Sequence, residues 1–308
     1  MIKRTLYFGN PAYLSLKLGQ LVVRLGGYGE KEAEEMNAVR TVPVEDIGVI
    51  VLDNKQITIT EGLMEALLEN NCALITCDGT HLPVGLFLPL CGNSIQNERF
   101  RSQIDASLPL KKQLWQQTVQ VKIANQSVVL DYATGDCHPN MKIWSGEVKS
   151  GDTGNLEGRA AAYYWKNIFS DYVDGFIRGR EEAGPNYLLN YGYAILRGVV
   201  ARALVCAGLL PTLGIHHHNR YNAYCLADDI MEPYRPYVDR LVFDIVKTSR
   251  DWSLSKENKT KLLSIPVLEV NINGNRSPLM VAATATAASL AKCFDGELRK
   301  LLYPEMTQ

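Results

Sequence analysis

Ile47-Gly48-Val49-Ile50-Val51-Leu52 is a nearly continuous apolar run of six residues. Such a run, too short for a core helix and rich in β-branched side chains, reads as a strand buried on both faces. Its neighbours extend the reading in both directions. Tyr13 to Leu18, Leu21 to Leu25 and Val42 to Val44 lie before it, short and partly alternating. After it, Gln56 to Thr60 alternates and Thr60 stands as the N-cap of a short helix, Glu61 to Asn70. Cys72 to Thr76 is a further strand, ended by Asp78-Gly79.

Composition changes at Cys91-Gly92-Asn93-Ser94, and from Asn97 the apolar period becomes helical, with Leu108, Leu110, Leu114, Val119 and Ile123 on long helices. Gly135 to Asn155 reads as loop broken by one short helix. Asn155 is placed to cap a helix reaching about Ile177. An Ala/Leu/Val-rich helix follows Asn186 and stops by Gly208, with Pro211 just beyond. Ala223 to Glu232 is helical up to Pro233, and Pro236 opens the next helix, Tyr237 to Ser249. Asn273-Gly274 suggests a hairpin, and Ser277-Pro278 opens a last helix to about Leu302. The expected fold is α+β: a small β-rich domain over 1–92 followed by a larger all-α domain over 93–308.

With 46% hydrophobic and 21% charged residues, the 308-residue chain has an ordinary globular composition. Its N-terminus shows no apolar signal-type segment. The apolar stretch from Tyr187 to Leu210 carries Arg197 and Arg202 at mid-segment, which marks a core helix rather than a membrane span. Seven cysteines without a CxxC pair point to free thiols in a reducing cytoplasm. A net charge of −1 gives no global basic field, so any nucleic-acid contact has to come from local patches.

Chemistry concentrates between Gly214 and Pro236. Three of the five histidines stand together as His216, His217 and His218, followed by Asp228, Asp229 and Glu232. Imidazole nitrogen with carboxylate oxygen suits a divalent cation. On a helix Asp229 and Glu232 share a face, and Asp228 points about a hundred degrees away. One imidazole and one or two carboxylates leave a hard cation short of ligands. Glu157, in the first turn of its helix and followed by small residues, is a candidate for the missing one, although on the residues alone the helix dipole is the better explanation of a carboxylate there. Arg159, Arg178, Arg180, Arg235, Arg240 and Lys247 are candidates for phosphate contact, and Tyr163, Tyr164 and Trp165 for base stacking. No Walker motif, GxGxxG or HExxH occurs. A zinc-dependent hydrolase built on the histidine triplet with Asp229, and a non-catalytic DNA-binding scaffold, stand as alternatives on the residues alone.

Asn-Leu-Glu-Gly-Arg-Ala-Ala-Ala-Tyr-Tyr-Trp (155–165), the later Gly-Ile-His-His and Leu-Ala-Asp-Asp-Ile-Met-Glu-Pro-Tyr-Arg-Pro, the Asn-Tyr-Gly-Tyr-Ala-Ile-Leu run (190–196) and Ser-Pro-Leu-Met (277–280) together resemble the CRISPR-associated spacer-acquisition integrases, the Cas1 family. The wording is most similar to members that accompany the Cas9 effector in type II systems. The resemblance implies a DNA integrase and endonuclease that joins the 3′ ends of a short spacer duplex to a CRISPR repeat, with Mg2+ or Mn2+ held by a glutamate, a histidine and a later acidic residue. Position by position these match Glu157, His217 (three residues after Gly214) and Glu232, with Asp229 in a supporting role. Glu232 stands where many relatives have Asp, and His216 or His218 remain open as substitutes for His217. The resemblance further implies a homodimer formed largely through residues 1–92, and a heterohexamer with the small partner Cas2 in company with other type II proteins.

Overall fold

The computed structural model describes residues 3–25, 39–179 and 184–307. The chain divides into two compact units, Met1–Gly92 and Asn93–Gln308.

The first unit holds two four-stranded sheets. One runs in the order β1 (Arg4–Phe8), β5 (Ile47–Leu52), β7 (Ala73–Cys77), β8 (Pro83–Phe87), and the other β4 (Val39–Pro43), β3 (Gln20–Leu25), β2 (Ala12–Lys17), β6 (Ile57–Ile59). Strand β5 pairs in parallel with β1 and with β7. A central strand covered on both faces needs apolar side chains at every position, and Ile47, Val49, Ile50 and Val51 are all fully buried. The β2–β3 hairpin turns at Leu18 and Gly19, both at positive φ (50° and 72°). Helix α1 (Glu61–Glu69) sends Leu63 and Leu67 into a core shared with Leu14, Leu21, Ile50 and Leu74. Two strands, β1 and β8, were not expected from the sequence: no residue of either is fully buried, and Val84 and Phe87 of β8 are exposed.

The second unit is mostly helical: α2 (Gln96–Ile104), α3 (Leu108–Thr134), α4 (Pro139–Glu147), α5 (Leu156–Asn167), α6 (Pro185–Cys206), α7 (Cys225–Met231), α8 (Arg235–Thr248), α9 (Lys256–Leu262) and α10 (Leu279–Phe294). It is not purely so, because the hairpin at Asn273-Gly274 joins β9 (Glu269–Ile272) to β10 (Asn275–Pro278), and β11 (Pro304–Glu305) completes a three-stranded sheet. Helix α3, capped by the Ser107 hydroxyl on Leu110 N–H and ended by left-handed Gly135, is the spine. Helix α6 is nearly all buried, including Arg202, and so is a core helix.

Two helices stop earlier than their apolar stripes predict. Helix α5 ends at Asn167, where the Ser170 hydroxyl donates to the Asn167 carbonyl and the chain turns, leaving Phe169 and Phe176 to pack in T-shaped contact. Helix α10 ends at Phe294, with Gly296 at φ 80°, and the remaining apolar residues return as loop and as β11. Apolar spacing records what is buried, not the conformation that buries it.

Candidate functional site

Lys122 decides the geometry of the site. It sits on the buried face of α3 with Trp115, Val119 and Gln126, only 6% exposed. A lysine ammonium at that depth is costly unless anions meet it, and two do. Its Nζ lies 2.5 Å from Glu157 Oε1 and 2.6 Å from Glu232 Oε2. Burial alone would lower the Lys122 pKa, but the charges of Glu232 and Glu157 outweigh it and raise it, so the ammonium stays charged.

Glu157 reaches this point from the first turn of α5. Asn155 precedes that helix at φ 49° with no capping side-chain bond, so the expected cap is not the one used. Asp152 takes its place: its two carboxylate oxygens accept the N–H groups of Leu156 and Glu157, each at 2.9 Å. An anion on the free amides of a helix start satisfies them and fixes the entry angle. Gly158 follows, and a Cβ there would fall 2.7 Å from Asn155 Oδ1, so that side chain would have to move aside.

Glu232 follows α7 in a single 3-10 turn, Glu232–Tyr234, where Pro233 interrupts the α pattern. Its other oxygen, Oε1, lies 2.9 Å from Arg235 Nε. Burial would raise its pKa, but Arg235 and Lys122 hold the carboxyl below the usual range. Oε2, although within ion-pair range of Lys122, has no hydrogen bond of good geometry and no contact with solvent.

His217 stands in the Gly214–His218 turn, which folds over α7 because Asp229 holds it there. Asp229 is fully buried. Its carboxylate accepts His216 N–H at 2.9 Å, His217 N–H at 3.3 Å and His217 Nδ1 in a short contact. That hydrogen bond, against the opposing effect of burial, raises the His217 pKa, and Glu232 and Glu157 add to it through space. With Nδ1 committed to Asp229, Nε2 is the nitrogen left for other work. Gly214 is required in this turn: a Cβ would strike the His217 carbonyl and come within 2.8 Å of Asp229 Oδ2. His216 stacks flat on Trp115, ring centroids 4.1 Å apart, while His217 meets the same indole edge-on at 5.6 Å. Burial against Trp115, then the neighbouring His217, lowers the His216 pKa. His216 is thereby occupied, and among the described residues His218 has no partner that orients it comparably.

The structure thus draws Glu157 and Glu232 onto one buried ammonium and sets an aspartate-oriented histidine within their electrostatic reach. Among the described residues no group of three or more His, Cys, Asp and Glu side chains is gathered closely enough to hold a metal ion. The donors nonetheless fit a hard divalent ion: two carboxylates, one with a buried oxygen lacking a hydrogen bond, an imidazole nitrogen, and a cation already between them.

The remaining candidates divide. Asp228 turns away from the site to Arg197 and Asn222, as its helical phase requires. Arg235 is no surface cation; it is spent on Glu232 and on the Tyr193 ring. Arg178 binds the Asn186 and Asn190 side chains and lies over Trp165 and Tyr193. Arg159 lies over the Trp144 ring, exposed, and Arg240 and Lys247 lie over Tyr132. Arg180 lies outside the described residues. Tyr164 is buried and, with Tyr193, donates to Asp239, whose carboxyl burial pushes up to about 6. Lys122 and Trp115 were not singled out from the sequence. The signal was there: Lys122 follows Trp115 by seven residues and Val119 by three, on the apolar face of a long helix.

Residues 6–260 match the protein family described as CRISPR associated protein Cas1. The chain is 36% identical over 309 residues to the CRISPR-associated endonuclease Cas1 of Neisseria meningitidis serogroup C (strain 8013), covering 99% of this chain and 97% of that one. Among solved structures, a casposase bound to integration product superposes with a TM-score of 0.77 at 20% identity, over 98% of this chain and 92% of that chain. A chain of a Cas6-RT-Cas1–Cas2 complex gives 0.74 at 18% identity, over 99% of this chain and 36% of the other.

Proposed function

The chain belongs to the Cas1 family, and from that premise we propose that it is the metal-dependent DNA integrase and endonuclease of a type II CRISPR system. In this reading it joins the 3′ ends of a short spacer duplex to a CRISPR repeat by transesterification, and with water as nucleophile it cuts. The observation that carries the assignment to particular residues is the meeting of Glu157 and Glu232 at one buried cation, beside a histidine oriented by a buried carboxylate.

Glu157, Glu232 and His217 Nε2 would hold Mg2+ or Mn2+. Bound there, the ion supplies Lewis-acid polarisation of the phosphodiester and lowers the pKa of the attacking hydroxyl. The chain's own part is positional. Asp152 fixes Glu157 at its helix start, Arg235 holds Glu232, and Asp229 keeps the His217 proton on Nδ1, so that Nε2 presents a lone pair.

DNA contact falls to exposed cations such as Arg159, since Arg178 is held by Asn186 and Asn190. With a net charge of −1, tight binding requires an assembly that gathers basic surface from several chains. We assign that assembly to a cytoplasmic homodimer formed through the Met1–Gly92 unit and bridged by a Cas2 partner. The test is Glu157→Gln assayed on a labelled repeat substrate. The variant keeps its fold and DNA affinity and loses strand transfer; normal joining by it refutes the assignment. The zinc-hydrolase reading gains nothing from the structure, because Asp229, its carboxylate, is wholly committed to the histidine turn.

A further inference from the structure

A cavity of 280 Å³ opens beside Glu232, lined among others by Lys122, Gln126, Arg178, Arg235 and Asp239. Gln126 is one helical turn beyond Lys122 on the same face of α3. Its Oε1 is buried with no hydrogen-bond partner, and the residue is only 2% exposed. A buried amide oxygen left open in this way is expensive and invites a donor. A second anion, Asp239, lines the same space. The ammonium that now bridges Glu157 and Glu232 therefore has a prepared acceptor within the swing of its own side chain, away from the two carboxylates.

We propose that Lys122 is an internal surrogate for the divalent cation: it holds Glu157 and Glu232 together before the metal arrives, then withdraws into the adjoining cavity toward Gln126 as the metal takes its place. The inference rests on the metal-site reading above. Two carboxylates facing each other without a counter-charge repel, and a loosened pair would have to be reassembled for every binding event. An ammonium on a tethered stem prevents this without being a ligand, and lysine's four flexible carbons allow it to leave. Its presence has a cost that can be measured. The incoming ion displaces a cation, so affinity is set lower than the bare carboxylates would give.

Mn2+ binding followed by electron paramagnetic resonance at pH 8 tests this on the full-length protein. Lys122→Met binds Mn2+ roughly tenfold or more tightly than wild type, since a like charge has gone from the site. A merely structural lysine predicts the reverse, because its loss would disorder the ligands. Gln126→Leu, which leaves both carboxylates and the lysine in place, weakens Mn2+ severalfold by removing the acceptor for the displaced ammonium. Equal or weaker binding by folded Lys122→Met overturns the inference while leaving the metal site standing; failure of the wild type to bind Mn2+ at all removes both. Should Lys122→Met not fold, the wild type suffices. The Nζ resonance of Lys122 in 15N-lysine-labelled protein shifts as Mg2+ is titrated and loses its two-carboxylate environment. A resonance unchanged at saturating Mg2+ overturns the withdrawal.

Discussion

Asp229→Asn changes one oxygen to an amide nitrogen and, on this geometry, disables His217 without touching it. The carboxylate accepts from His216 N–H, His217 N–H and His217 Nδ1. The asparagine oxygen keeps the nearest backbone amide, His216 N–H at 2.9 Å. Its NH2 then faces Nδ1 and can only donate, which drives the ring proton to Nε2 and removes the lone pair intended for the metal. Loss of an orienting partner of a metal-bound histidine typically costs ~10–100-fold in metal affinity, or about 1.4–2.8 kcal/mol. The fold should lose on the order of 1.5–3 kcal/mol from the charged hydrogen bond. Mn2+ titration of the folded variant measures the first quantity and chemical denaturation the second. Strand transfer should recover as Mn2+ is raised, because the defect lies in binding. An Mn2+ affinity within twofold of wild type, in a variant that remains folded, would refute the argued role of Asp229.

Other outcomes follow from the same geometry. Gly214→Ala puts a methyl against the His217 carbonyl and Asp229 Oδ2; it should cost about 1–3 kcal/mol in thermal unfolding and weaken Mn2+ more than in proportion, since the turn carrying His217 must shift. Metal affinity should also fall with acid. The Asp229 hydrogen bond raises the folded-state pKa of His217 above its ordinary 6.5, so its contribution to fold stability is complete below pH ~6.5 and is lost as pH rises through the folded value. Metal binding runs the other way, because ligation needs the neutral ring. Mn2+ affinity should therefore climb through a window above pH ~6.5 rather than below it, and a flat profile from about pH 6 to 9 would remove His217 from the ligand set.

Much of this arrangement was legible beforehand, and the exceptions share a cause. The run 47–52 specified a buried strand because a strand covered on both faces admits only apolar side chains, and it became β5 between β1 and β7. The Asp229/Glu232 spacing put Asp229 where the histidine turn meets it and Glu232 where Lys122 and Arg235 reach it. Strand β1 was not readable because Arg4-Thr5-Leu6-Tyr7-Phe8 is only half-buried and takes its conformation from β5. The helix start at Glu157 differs for a similar reason: Asn155 has the right identity for a cap, but at φ 49° it makes no capping side-chain bond, and Asp152 accepts the first amides instead. Lys122 was the largest omission. Its partners are 35 and 110 residues further along the chain, and nothing in its local sequence except its place on an apolar face announces them. Local pattern specifies elements, while a buried charge is explained only by whatever the fold brings to it.

Diffraction from crystals of the wild-type protein grown with Mn2+, recorded at a wavelength where manganese scatters anomalously, tests the central claim most directly. The account predicts one strong anomalous peak per chain in the helical unit, with Glu157, His217 Nε2 and Glu232 all in its coordination sphere. A peak elsewhere, or one that lacks Glu157 or Glu232 while both remain on Lys122, would contradict it.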